Sequence, residues 1–532
     1  MRTGVFTTMQ MKRLGSSGVK RGAKGSAARK KDDFFARMDA QGLALAYADV
    51  RLRTGHSETP PSEVIMESRF SRRVPLKVPI VSAAMDRVTE YKTAIELAKR
   101  GGLGIIHFGM SPEKQAAMVT RVKLYLNAII EKPICVEEGD TIGSIEEMRE
   151  EQGWGFHSFP VVDAKGILKG VITQSDFEFS MDAKRAAKEV MTKTPVTAPA
   201  GTDLKKAFDI MTKTKKKFLP LVDKSGKLSG VYVFSDVKRV LFGGSESAYY
   251  NVDKEGHLRV GAALGVGEGE IERAELLVER KADVLVIETA HGDTPRAIKV
   301  LKELKKNFPH VDVVVGNVSE GESAKRLTDA GADGVKVGQG PGSICTTRIV
   351  AGIGCPQVTA VHNCEKAVRG YDVPVCADGG IRYSGDIPVA LGAGADSVML
   401  GMMLAGTEEA PGKKVVVNGI TYKDYRGMGS LGAMQASRAA RERYRADSGK
   451  AAFFPEGVEG LIPYRGSIGS VLDQLTEGLR RGMGYVGAKT VNELQQKSDF
   501  HRLSGAGIEE SHAHDVVITE EMPNYGTRRK DK

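Results

Sequence analysis

The sequence predicts an α/β fold closed into a (β/α)8 TIM barrel, interrupted by an inserted pair of small modules. Three observations carry this. Eight short apolar runs recur along the chain: VPIVSAAM, GGLGIIHF, LRVGAALGV, ADVLVIETA, VDVVVGNV, GADGVKVG, VPVCADGG and ADSVMLGMM. Stretches with helical spacing lie between them, AIKVLKELKKN at 297–307 among them. Continuous apolar strands joined by helices imply parallel pairing with both faces covered, and eight such units suit a closed barrel. An open doubly wound sheet is the competing arrangement. The third observation is a gap of about 150 residues between the second and third runs, far more than a crossover helix needs.

In chain order, residues 1–40 form a basic arm that is expected to be disordered. The first 31 residues carry nine Lys or Arg and no acid, mixed with Gly and Ser. Organelle targeting and nucleic-acid contact are the sharper alternatives, and without aromatics interleaved among the clustered charges nucleic acid is not favoured. Residues 41–130 carry the first part of the barrel. Residues 131–243 fill the gap with a tandem repeat, in which FPVVDAKGILKGVITQSDF is echoed by LPLVDKSGKLSGVYVFSDV and Ser175-Asp176 recurs as Ser235-Asp236. Such a repeat predicts two α/β modules related by a pseudo-twofold axis. Residues 244–525 resume the barrel, and 526–532 are a polar tail.

The 532 residues, 41% hydrophobic and 27% charged, suit a folded chain with a large core. With no apolar run of about eighteen residues and no secretory h-region, neither a membrane nor a secreted protein is expected. The cytoplasm is the expected compartment, with organelle targeting by the basic arm as the alternative. Five scattered cysteines without a CxxC pair predict neither a disulfide framework nor a zinc site.

In such a barrel the chemistry lies at the C-terminal ends of the strands. The polar residues expected there are Asp86, His107, Glu288, Asn317, the loop GQGPGSICTTR at 338–348, Asp378 and Gly401. The glycines of ADGGIRYSGD and GMMLAGTEEAPG, after the seventh and eighth runs, allow backbone N–H groups to approach an anion. Asp378 then suits ribose hydroxyls, so a phosphorylated nucleotide is the expected ligand. Cys345 is either a small buried hydrophobe or a nucleophile. Its setting of glycines, hydroxyls and Arg348 suits the nucleophile.

With PIVSAAMDRVTE, GGLGIIH, GNV, GPGSICTTR, ADGGIRYSGD, AGTEEAPG, YRGMGSLGAM, PEGVEGLIPYRG and SGAGIEESHAHDV in that order, the chain resembles the IMP dehydrogenase / GMP reductase family. Its insert resembles tandem cystathionine-β-synthase (CBS) modules. The resemblance implies NAD-dependent oxidation of IMP to xanthosine monophosphate, with NADPH-dependent reductive deamination of GMP to IMP as the alternative. It implies Cys345 as nucleophile at the purine C2. Arg443 and Tyr444 become the water-activating pair on a mobile flap, about 413–466, with Thr347 assisting. Substrate contacts carry over to Met85, Ser343, Asp378, Gly380, Gly401, Met402, Tyr425, Met428, Gly429 and Glu456, the last toward the hypoxanthine ring. NAD contacts carry over to Glu288, Thr289, Asn317, Gly338 and Gly340. A K⁺ ion is implied on the carbonyls of Gly340, Gly342 and Cys345, with Glu510, Ser511 and His512 supplied by a neighbouring subunit. That sharing implies a homotetramer, with an octamer as the alternative. In the insert, regulatory purine nucleotides are implied at Thr173, Asp176 and Asp236, Val233 standing where the second copy would repeat the threonine. Glu288 and Met402 stand where the family pattern has Asp and Ser.

Overall fold

The structure, a computed structural model, describes residues 26–126, 129–130, 133–151, 156–180, 182–242, 249–437, 440–441 and 454–519. Eight parallel strands close a barrel in chain order: β1 Ile80–Ser82, β2 Leu103–Ile106, β3 Val260–Leu264, β4 Val284–Glu288, β5 Asp312–Val318, β6 Gly334–Val337, β7 Val375–Asp378 and β8 Ser397–Leu400. β8 pairs with β1, and β2 pairs with β3 across the insertion. The predicted closed barrel is therefore the one observed.

Every residue of β4 is buried, as a strand covered on both faces requires. Helix Pro295–Asn307 buries Ala297, Val300, Leu301 and Leu304, one helical stripe, against the barrel wall. The Thr294 side chain accepts from the Ala297 N–H and caps its start. Inside the barrel, Val81, Ile105, Val284, Val286, Val314 and Met399 make an apolar plug. The polar side chains considered for chemistry lie in the layer above it, where the strands end.

The arm departs from expectation over its described part. Ser26–Asp39 is a helix that buries Phe34, Phe35 and Met38. Phe35 stacks on His362 at 3.9 Å and Phe34 on Phe500 at 5.6 Å, while Arg369 holds Asp32 through two hydrogen bonds of 2.9 and 3.0 Å. The paired phenylalanines outweigh the basic composition, because burying each is worth about 1.5–3 kcal/mol. Residues 1–25 lie outside the described residues.

Burial, joined by the nearby Lys31, pushes the His362 imidazole down from 6.5 to about 3, Asp32 acting in the opposite sense and Arg369 and Lys366 in the same one. The folded chain therefore refuses a proton that the unfolded chain accepts below pH 6.5, and stability falls as the pH drops from there toward 3. At pH 5 the loss is about 2 kcal/mol. Urea midpoints measured from pH 7 to pH 4 are expected to fall more steeply for the wild type than for His362→Phe, which keeps the stack but cannot be protonated. Parallel slopes would defeat this assignment.

The insert comprises two small sheets. One contains Val136–Glu137, Phe159–Val162 and Leu168–Ile172; the other contains Ala198–Pro199, Phe218–Val222, Leu228–Val233 and the incoming Ile129–Ile130. The Leu168 N–H donates to Gly226 O, and the Leu228 N–H donates to Gly166 O. That reciprocal pair relates residues at the same offset as Ser175 and Ser235, which is the predicted pseudo-twofold relation. Among the described residues no helix is long and apolar enough to cross a membrane.

Candidate active site

A cavity of about 500 Å³ opens at the C-terminal ends of the strands, within the range of small-molecule sites. It is lined by Met85, Glu288, Thr289, Asn317, the 338–345 loop, Thr347, Asp378, Gly380, Gly401, Met402, Tyr425, Met428, Gly429 and Glu456. The structure thus brings together every predicted substrate and cofactor residue. Asp86 and His107, expected on the same rim, do not line it. Asp86 is paired with Arg426, and the buried His107 accepts from the Gly109 N–H through Nδ1.

The cysteine loop is tied from both sides. The Arg348 guanidinium donates to the carbonyls of Gln339 (3.0 Å) and Cys355, so this cation staples the loop together. Opposite, the Val458 N–H donates to Ile344 O and the Thr346 N–H to Glu456 O, an antiparallel bridge pairing Cys345 with Gly457. This bridge carries Glu456 to the thiol. Cys345 Sγ donates to Thr347 Oγ1 at 3.1 Å, and Thr347 Oγ1 donates to Glu456 Oε2 at 2.7 Å. Glu456, expected toward a base ring, is thus the end of a hydrogen-bonded chain that starts at the thiol. The other cysteines differ in kind. Burial pushes Cys355 up to about 11, Cys376 up to about 12 and Cys364 higher still, as for inert packed thiols.

The phosphate end is built by glycine. Gly379 and Gly380 take φ of +89° and +85°, a left-handed pair that glycine alone adopts without strain, and the Gly379 N–H donates to Met399 O. At Gly401, a Cβ would stand 3.0 Å from Tyr425 Oη, so only glycine keeps this edge of the cavity open. Burial raises the Tyr425 hydroxyl above the ordinary tyrosine range, which keeps it a neutral donor. It is delivered by a three-stranded antiparallel sheet of Lys414–Val417, Ile420–Arg426 and Glu459–Pro463. Buried Lys423 anchors that sheet by donating to Thr407 O at 2.8 Å in the loop after β8.

The floor beneath the ligand residues is polar. Lys336 of β6, fully buried, reaches Asp378 Oδ2 at 2.6 Å and Glu288 Oε1 at 3.2 Å, and donates to Asn317 Oδ1. Asn317 Nδ2 donates to Asp378 Oδ2 at 2.9 Å and to Gly338 O at 2.6 Å. Sequence reasoning missed Lys336. In GADGVKVG it reads as the polar member of a strand, and the only available signal was a lysine in the middle of a run buried on both faces. Tyr47, buried beside Gly380 and lining the cavity, was missed as well, because it precedes the barrel.

Several expected residues stand apart. Arg443 and Tyr444 lie outside the described residues. Glu510 and Ser511 are exposed and do not line the cavity, and the His512 ring lies 5.8 Å from Tyr383. In the insert, Asp176 accepts from both the Thr173 N–H (2.7 Å) and its hydroxyl (3.0 Å). Asp236 pairs instead with Arg239 at 2.9 Å, and that guanidinium lies 4.1 Å over Tyr125, where the barrel leads into the insert.

A closed α/β barrel with a left-handed glycine pair, a half-buried aspartate and a cysteine on a hydroxyl–carboxylate chain defines a nucleotide-handling thiol enzyme. The model of the IMP dehydrogenase / GMP reductase domain matches residues 44–514. An inosine-5'-monophosphate dehydrogenase of Aquifex aeolicus is 47% identical over 486 residues, 90% of this chain and 97% of that protein. The enzyme of the same name from Helicobacter pylori is 45% identical, covering 91% and 98%. Among solved structures, a GMP reductase variant of Trypanosoma brucei in complex with guanosine 5'-monophosphate is 39% identical, with a TM-score of 0.75 over 90% of this chain and 100% of that one. The chain belongs to the IMP dehydrogenase / GMP reductase family.

Proposed function

We propose that the protein is an NAD-dependent oxidoreductase that converts IMP to xanthosine monophosphate. The observation that carries this is the chain Cys345–Thr347–Glu456 at the mouth of a nucleotide-sized cavity. Identity of 41–47% to proteins named inosine-5'-monophosphate dehydrogenase over about nine-tenths of the chain supports the same reading.

The glycine loops after β7 and β8 and Ser343 hold the 5'-phosphate, Asp378 accepts from the ribose hydroxyls, and Met85 packs the base. Cys345 sulfur adds to C2 of the purine, and its proton leaves through Thr347 toward Glu456. NAD, when bound, supplies the acceptor for the hydride that departs from C2. The acidic and amide side chains on its side of the cavity, Glu288 and Asn317 with Thr289, have the acceptor and donor chemistry that a ribose and a carboxamide need. Water then attacks C2, activated by Arg443 and Tyr444 with Thr347. The C–S bond breaks, and xanthosine monophosphate and the free thiol are released. Gly338 and Gly340 flank the cofactor side of the loop.

A K⁺ ion on the carbonyls of Gly340, Gly342 and Cys345, completed by Glu510, Ser511 and His512 of a neighbouring subunit, belongs to the same proposal, as does a homotetramer or octamer. Carbonyl oxygens suit a large, weakly hydrated cation. The repeat at 131–243 is proposed as a CBS pair that binds a purine nucleotide at Thr173 and Asp176. The Asp236–Arg239 ion pair favours the first module over the second for this role.

The T. brucei relative, a GMP reductase, favours NADPH-dependent deamination of GMP as the second reading. The assay is direct: purified protein with IMP and NAD, then with GMP and NADPH, each with and without K⁺. NADH formation from IMP is expected, faster with K⁺. NADPH consumption with release of ammonia, and none of that NADH, would reverse the assignment.

A further inference from the structure

We propose that Lys336 is a positioning residue of this reaction, a single buried ammonium that sets the carboxylates serving both nucleotides. The inference rests on the IMP and NAD reading above and deepens it.

An ammonium has three N–H donors and no acceptor, and a fully buried one needs partners in three directions. Lys336 finds them on three different strands: it donates to Asn317 Oδ1 on β5 and Asp378 Oδ2 on β7, and forms an ion pair with Glu288 Oε1 on β4 at 3.2 Å. Each partner stands at or next to the end of its strand, in the layer that faces the cavity. Asp378 Oδ2 also takes the Asn317 amide, so this oxygen is committed twice and the carboxylate plane is fixed. Its second oxygen, Oδ1, is the one that serves the ribose of IMP. Glu288 reaches the same cation from the cofactor side.

A purely structural ion cluster explains this placement poorly. The barrel layer below is apolar, built of Val284, Val286, Val314 and Met399, and a buried ion pair is often no more stabilising than well-packed hydrocarbon. The cation lies instead directly under the ligand residues. Without it, Glu288 and Asp378 would share a nearly water-free floor with no cation between them, and their repulsion would displace both. The substrate and cofactor sides are thereby coupled through one nitrogen.

The test is Lys336→Met, which keeps length and removes charge, assayed in steady state with IMP and NAD in the full-length protein. KM for IMP and KM for NAD are each expected to rise at least tenfold, while kcat falls less than fivefold. Adding Glu288→Gln to Lys336→Met removes one of the two facing carboxylates, and is expected to bring KM for IMP back at least threefold. A general loss of packing would not produce that rescue from the cofactor side. A folded Lys336→Met with both KM values within twofold of wild type, or a double variant without rescue, overturns the proposal. If Lys336→Met is insoluble, Lys336→Gln takes its place, and insolubility of both assigns the residue to stability and overturns the proposal too. Wild-type protein inert toward IMP and NAD defeats the functional reading instead, and is seen before any variant is made.

Discussion

Replacing Cys345 with alanine is expected to reduce turnover of IMP by at least about 10⁴-fold, because no other thiol lines the cavity among the described residues. Among the cavity-lining residues Cys345 is the one thiol, and Cys355, Cys364 and Cys376 are held protonated by burial. The glycine loops after β7 and β8 and Asp378 are untouched by the change, so IMP is expected to raise the thermal midpoint of the variant and of the wild type alike. Mass spectrometry of acid-quenched turnover mixtures should show a nucleotide adduct on the wild type and none on Cys345→Ala. An adduct elsewhere, or residual turnover above one per cent, would require another nucleophile.

The second large effect concerns the proton. Thr347 lies between thiol and carboxylate, at 3.1 and 2.7 Å, and the hydrogen bonds run one way, from sulfur to hydroxyl to Glu456. Glu456→Gln keeps the shape but removes the acceptor of the last proton, and Thr347→Val breaks the middle of the chain. Each is expected to lower kcat by about 10²–10⁴-fold, the usual worth of general acid–base help. The two changes combined should cost little more than either alone, since they interrupt one path. Rapid-mixing traces separate this chain from the proposed water-activating pair. Glu456→Gln should slow the first burst of NADH, because the thiol loses its proton exit. Arg443→Ala should keep the burst and stall afterwards. A full-sized burst in Glu456→Gln would confine the chain to the hydrolytic half of the reaction.

The contrast between these residues reflects how much of the site could be read before folding. Cys345, Asp378 and the two glycine loops announce themselves because their chemistry is local: a strand ends, glycines follow, and the functional atom lies within a few residues. Glu456 was recognised as a site residue, but its tie to the thiol through Thr347 was not. Its partner lies 109 positions away, and only the bridge between 344–346 and 456–458 brings them together. Lys336 was missed because a long polar side chain inside an apolar strand gives no hint of its partners. Those partners come from β5 and β7, which flank β6 in the closed sheet, and from β4 one strand further round, and all three are far apart in the chain. The helix at 26–39 was misjudged for a related reason, since its basic composition dominated two phenylalanines whose docking surface, His362 and Phe500, is supplied by distant segments.

By itself, the sequence determined the period of the chain: eight buried strands, their helices, one insertion of two like halves, and a thiol framed by glycine after the sixth strand. These follow from local hydrophobic patterning and backbone freedom, which neighbouring residues decide among themselves. Only the tertiary structure decided which charges meet: that Lys336 gathers Glu288, Asn317 and Asp378, that Arg348 staples its loop, and that Glu456 ends a chain beginning at Cys345. The physical reason is that a buried polar group must find its partner wherever closure of the barrel places one, and closure sets residues from the ends of β1, β4, β5, β6, β7 and β8 around a single cavity.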